Sequence, residues 1–189
     1  MPAPYLTKAI WPDFTIAEVT HSFSHLQEVC FDVTDSSATN RQVIATFSDH
    51  VFTRDAEDGD DQATVFPLCS RNPGIFCSER YAFSLQLPTV VPLICGSKVW
   101  CLTGADRYAQ LPVVTQEGVE HLYAIIFTLD RIRGLPFDLH MQIRSAYPCT
   151  RKVPDTFGEV KFKHLARLRV ENKHPRKNHE RGRKVPKKP

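Results

Sequence analysis

The sequence predicts an α+β fold: a mainly antiparallel β-sheet with one or two short helices, in a single domain that ends in a disordered basic C-terminal tail. Three observations point there. Apolar residues alternate at period two in several short runs, as at Val29, Phe31 and Val33. The links between the later runs suit antiparallel neighbours and are too short for helical crossovers. Helix-start chemistry precedes an apolar helical face at one place, just after Cys77. With 189 residues, 42% hydrophobic and 24% charged, the chain is long enough for one well-packed core, and two compact domains would each be small.

Taken in order, residues 1–20 are Pro-rich and read as an irregular segment, followed by a domain over 21–172 and a tail over 173–189. A strand from Glu28 to Thr34 and a partner from Gln42 to about Phe52 flank the polar loop Asp35 to Asn40, the signature of a hairpin. Asp55, Glu57, Asp58, Asp60 and Asp61 surround Gly59. Their spacing departs from the calcium-loop pattern, so the stretch reads as a solvated loop. A short strand resumes from Ala63 to Cys69. Ser78 is placed to cap a short helix starting at Glu79, with Tyr81, Phe83, Leu85 and Leu87 on its buried side until Pro88 and Pro92 break or kink it. Lys98 to Leu102, Tyr108 to Val114, Val119 to Leu129 and Phe137 to Tyr147 then form a four-stranded meander. Val160 to Phe162 and Leu165 to Val170 read as a further edge strand.

No segment approaches about 18 consecutive apolar residues, which argues against a membrane-spanning helix. The N-terminus lacks a basic start followed by an apolar stretch and a small-residue cleavage site, so the expected location is cytoplasmic. The six cysteines read as reduced thiols, and with no Cys-x-x-Cys pair among them neither a structural metal nor a cofactor is expected.

Charge is unevenly divided. From Lys173 onward, Lys173, Arg176, Lys177, Arg181, Arg183, Lys184, Lys187 and Lys188 stand against Glu180 alone, a balance of +7, while the other 172 residues carry 16 basic and 20 acidic groups. A tail with almost no apolar residues cannot offset the entropy of ordering itself, and such tails bind phosphate backbones by counterion release. Nucleic acid is therefore the natural partner, set against a solubilising tail or one attracted to any acidic surface.

The strand Phe137 to Tyr147 carries the richest candidate site. Regular pleating sets Phe137, Leu139, Met141, Ile143, Ser145 and Tyr147 on one face and Asp138, His140, Gln142 and Arg144 on the other. Arg144 offers a planar fork that matches phosphate. Ser145 and Tyr147 join it only if the strand bends before Pro148, and a plain surface Arg on a sheet stands as the alternative reading of Arg144. His50, between Asp49 and Arg54, is the first choice for a general acid or base, and His140 is the second. Arg80, at the start of the helix, is a candidate phosphate contact. His21 and His25 lie four apart, the spacing of two metal ligands on a helix, yet no third ligand is evident. No Gly-rich phosphate loop, His-Glu-x-x-His or Gly-x-Ser-x-Gly pattern is present.

The helix, the meander after it and the late strand ending Gln142 to Pro148 resemble the metal-independent ribonuclease toxins related to barnase, RelE and the tRNA-cutting colicins. The resemblance covers about residues 78 to 149. It implies RNA cleavage by attack of the ribose 2′-oxygen on the adjacent phosphate, with Arg144 stabilising the phosphate and Ser145 and Tyr147 beside the scissile group. It also implies bacterial growth inhibition and an antitoxin or ribosome as partner. His50 enters from its chemistry and lies outside the matched stretch. Two other readings stand beside the nuclease: a non-catalytic RNA-binding or ribosome-associated protein, and a protein–protein interaction module.

Overall fold

The computed structural model describes residues 11–67, 74–102, 106–114, 118–149 and 158–175. Its first feature departs from the expected irregular start. β1 (Phe14–Ile16) and β2 (Val19–His21) form a small hairpin whose two turn residues, Ala17 and Glu18, both have positive φ. That backbone suits the twist of a tight hairpin, but Ala-Glu carries none of the Gly or Asn chemistry that marks one in sequence. Tertiary packing holds it: Phe14 lies 5.3 Å from the Phe66 ring and 5.5 Å from Phe76. Trp11 lies 5.4 Å from Phe52.

β3 (Val29–Thr34) and β4 (Asn40–Phe47) form the expected hairpin. Asp35 organises its loop, accepting from the backbone N–H of Ser37 at 2.7 Å and of Thr39 at 3.2 Å, and from Arg41 Nε at 3.0 Å. β4 is shorter than the run to Phe52 implied, because the chain turns away at Ser48 into a 3-10 turn, Asp49–Val51. β5 (Thr53–Asp55), β6 (Val65–Phe66) and β7 (Gly74–Phe76) build a separate antiparallel sheet in the order β5-β7-β6.

The helix after Cys77 is split, as its prolines require. α1 (Ser78–Ser84) is followed by α2 (Leu87–Val90) and a 3-10 turn, Val91–Gly96. Pro88 sits in the first turn of α2, where no N–H is needed. Ser78 is already helical and makes no capping bond; Cys77 occupies the cap position.

β8 (Lys98–Cys101), β9 (Arg107–Val114), β10 (Glu120–Arg131) and β11 (Leu139–Cys149) form the meander. β12 (Glu159–Lys161) adds the edge next to β8. The seven-stranded order is β12-β8-β9-β10-β11-β4-β3, antiparallel throughout except that β4 runs parallel to β11. The stretch expected to continue as an edge strand is instead α3 (Phe162–Val170). Phe162, Leu165 and Ala166 are buried, and their spacing of three and four matches one helical face rather than alternate strand positions.

One face of the large sheet makes the core. Val43, Ala45 and Phe47 of β4, Tyr123, Ile125 and Phe127 of β10, and Leu139, Met141 and Ile143 of β11 pack into one cluster with Leu87, Ile94, Phe162 and Leu165. The result is a single α+β domain with mostly antiparallel sheets. Among the described residues, no helix is long and apolar enough to cross a membrane.

Candidate functional site

β11 does not pleat regularly, and that places the site. Ile143 pairs with Phe127 of β10, but the next pair along is Ser145 with Ile126, so Arg144 is an extra residue in a β-bulge. The bulge reverses the alternation. Before it, Leu139, Met141 and Ile143 are buried; after it, Ala146 takes the core position. Arg144, Ser145 and Tyr147 therefore share the face that carries His140 and Gln142. The expectation that Pro148 bends the strand is corrected: Pro148 stays inside β11 and pairs with Tyr123.

The bulge also explains where β4 goes. At the end of their parallel pairing, the Ser48 N–H donates to the Ile143 carbonyl at 2.9 Å, and the Ser48 hydroxyl donates to the bulged Arg144 carbonyl at 2.6 Å. A carbonyl displaced from the ladder thus gains a partner. The next residues form the 3-10 turn, which brings His50 beside β11: the Ser145 hydroxyl donates to the His50 carbonyl at 3.5 Å. His50, expected in a strand, lies in this turn. Among the described residues its ring makes no hydrogen bond.

Arg80 of α1 clamps the same turn. Its Nη1 donates to the carbonyls of His50, at 3.1 Å, and Thr53, at 2.6 Å. Its guanidinium carbon lies 5.3 Å from the centre of the Tyr147 ring. Cation and ring attract through the ring quadrupole, so Tyr147 is held against a fixed positive charge.

Arg144 has a committed partner. Its Nη1 donates to both carboxylate oxygens of Asp106, at 2.8 and 3.1 Å, with 54% of the Arg144 side chain exposed. Across β9 and β10 on the same face, the Tyr108 hydroxyl and Gln110 Nε2 each donate to Cys149 Sγ at 3.7 Å. Burial, with Cys149 next in effect, pushes the Tyr108 hydroxyl well above its ordinary pKa, so it stays a donor.

His140 faces the same side but is differently employed. Its Nε2 is 2.7 Å from Thr46 Oγ1, and burial lowers its pKa below the ordinary histidine value. It is a neutral, anchored ring. Lys173 follows α3 and pairs with Glu171 at 2.7 Å. Arg176, Lys177, Arg181, Arg183, Lys184, Lys187 and Lys188 lie outside the described residues.

His50, Arg80, Arg144, Ser145 and Tyr147 are thus brought to one rim, while His140 stands further along the strand. His21 and His25, four apart in sequence, have different partners. His21 ends β2 and packs 4.6 Å from the Phe76 ring, and His25 Nε2 is 2.8 Å from Ser84 Oγ. Among the described residues, no three His, Cys, Asp or Glu side chains gather as metal ligands. In the acidic loop, Asp60 holds Arg54 in an ion pair. Sequence reasoning missed Ser48, Thr46 and Asp106. The first two act through a parallel strand pairing that no local pattern announces, and Asp106 sits in what read as a plain turn.

The model of the YjaZ family matches residues 13–185 of this chain. No curated protein and no solved structure matches it. None of these comparisons links it to the ribonuclease toxins.

Proposed function

We propose, from the premise that the chain belongs to the YjaZ family, that the bulge rim binds the phosphate backbone of RNA and cleaves it without a metal ion. One observation carries this reading: the bulge at Arg144 turns Ser145 and Tyr147 to the side of Arg144, beside the turn that holds His50. An imidazole, two guanidiniums and two hydroxyls then stand at one rim. In the reaction, His50 takes the proton of a ribose 2′-hydroxyl as its oxygen bonds to phosphorus. The bond to the 5′-oxygen breaks, water protonates that oxygen, and Arg144 and Arg80 offset the charge that builds on the phosphoryl oxygens. The products are a 2′,3′-cyclic phosphate and a 5′-hydroxyl. The basic residues from Lys173 onward raise the affinity for RNA, and growth inhibition in a bacterial cytoplasm, checked by an antitoxin or directed at a ribosome, is the setting such an activity fits.

A second reading has its own support. Arg144 is already engaged by Asp106 and Arg80 by two carbonyls, as in a protein that uses this face to hold RNA and performs no chemistry on it. Incubation of the purified protein with total RNA in EDTA, beside Arg144→Ala and His50→Ala, separates the two. Cleavage that persists in EDTA and disappears in both variants supports the nuclease. RNA binding without cleavage in any buffer establishes the second reading, and absence of both leaves a protein-interaction module.

A further inference from the structure

Arg107 opens β9 on the core side of the sheet, paired with Phe127 on one strand and Cys101 on the other. Only 4% of the residue is exposed. Its Nη1 donates to the Asp106 carbonyl at 2.6 Å, and its Nε is buried without any partner. A guanidinium is always charged, and one taken out of water is costly unless an opposite charge or further hydrogen bonds compensate.

Among the described residues, the neighbourhood compensates this charge only in part: Asp106 and Asp130 attract it, but burial and the nearby Arg169 oppose them. Three guanidiniums, those of Arg107, Arg144 and Arg169, share two carboxylates, those of Asp106 and Asp130. Asp106 is taken by Arg144 and Asp130 by Arg169. Arg169 also donates to the Leu129 carbonyl at 2.6 Å, which fixes a second positive charge at this end of the sheet. Burial pushes the facing Cys101 thiol upward in pKa, so it stays neutral and supplies no negative charge. Among the described residues, Arg107 is the leftover cation, and also the most buried of the three.

With Nη1 engaged, the Nε–Nη2 edge remains, which is the edge that receives two oxygens of one phosphate or carboxylate side by side. We propose that this edge of Arg107, beside Arg169, binds a small oxyanion of the phosphate or carboxylate type. The site is separate from the bulge rim and does not depend on it. A residue only 4% exposed is out of reach of a polymer chain, so the class is limited to small free anions.

The experiment follows thermal unfolding of the full chain while inorganic phosphate replaces sodium chloride at constant ionic strength, with acetate in a parallel series and a short RNA oligonucleotide in a third. The wild type is expected to show a saturable rise in Tm, about 5–10 °C at a concentration roughly 100 times Kd. Arg107→Met removes that rise while folding at least as stably as the wild type without phosphate, since the change removes a buried charge that is only partly compensated. The series that gives the rise at lower concentration identifies phosphate or carboxylate as the natural class. In nitrogen-detected NMR, the Arg107 Nε–H resonance shifts along the same saturation curve, which keeps the test independent of any variant. An equal rise in chloride, a rise that Arg107→Met retains, a response to RNA alone, or an unmoved Nε–H resonance overturns the proposal.

Discussion

Asp106 accepts both of its ion-pair contacts from a single nitrogen of Arg144, at 2.8 and 3.1 Å, across the face that would receive a phosphate. The carboxylate occupies the guanidinium as a substrate anion does. Asp106→Asn should therefore strengthen RNA binding, by about two- to fivefold because an exposed ion pair is worth only about 0.2–1 kcal/mol. Filter binding at fixed salt measures this. Weaker binding in the variant would mean that Arg144 must be held by Asp106 to work.

Arg80→Lys keeps the charge at the rim and loses the planar fork. One ammonium cannot keep both carbonyls and also lie flat on Tyr147, so the turn carrying His50 should loosen. The expected cost is about 1–2 kcal/mol in urea unfolding, together with faster amide exchange at Val51 and Phe52. Unchanged exchange there would show that the turn is held by its own backbone.

Asp35 gives a pH dependence with a definite sign. Burial opposes its ionised form, but the hydrogen bonds from Ser37, Arg41 and Thr39 outweigh it and hold the carboxyl well below the ordinary aspartate range. A depressed folded-state pKa means stability that is fully present above the unfolded value, about 4, and is lost as pH falls. Asp35→Ala should cost about 2–3 kcal/mol at pH 7. The difference from the wild type should shrink by pH 2.5. A pH-independent difference would place the effect in packing.

His140 should titrate below the ordinary 6.5, because burial disfavours its charged form more than nearby Asp130 favours it. Its folded-state value is lowered, so its contribution to stability is present above the unfolded pKa and lost as pH falls through it. Imidazole chemical shifts between pH 7.5 and 4.5 read the value directly. Thr46→Val, which removes the partner 2.7 Å away, should cost about 1 kcal/mol at pH 7. A His140 that titrates above 6.5 would overturn the reading of a neutral anchored ring.

Much of the fold was legible because its logic is local. The hairpin around Asp35, the proline-split helix and the meander all announce themselves through alternation and turn chemistry. α3 did not, since Leu165 to Val170 is short enough to fit either period, and only the burial of Phe162, Leu165 and Ala166 on one side decides it. The site residues were found by type, but their convergence was not. Regular pleating opposes Arg144 to Ser145 and Tyr147, and the one-residue bulge that reunites them depends on how Ile126 and Phe127 of the neighbouring strand pair with Ser145 and Ile143, which no local signal shows. The same holds for Ser48, which reaches Arg144 only through a parallel alliance between segments distant in sequence.

That alliance governs how the chain must assemble. β4 comes early in the chain, yet among the described residues its neighbours in the large sheet are β3 and the distant β11. Closing so long a loop is the slow kind of step in folding, because its entropy is lost before the new contacts compensate. Until β11 is in place, the β3–β4 hairpin has one edge without its native partner. The pairing uses Leu139 to Ile143, so the large sheet closes around β4 only when the last strand of the meander is in place.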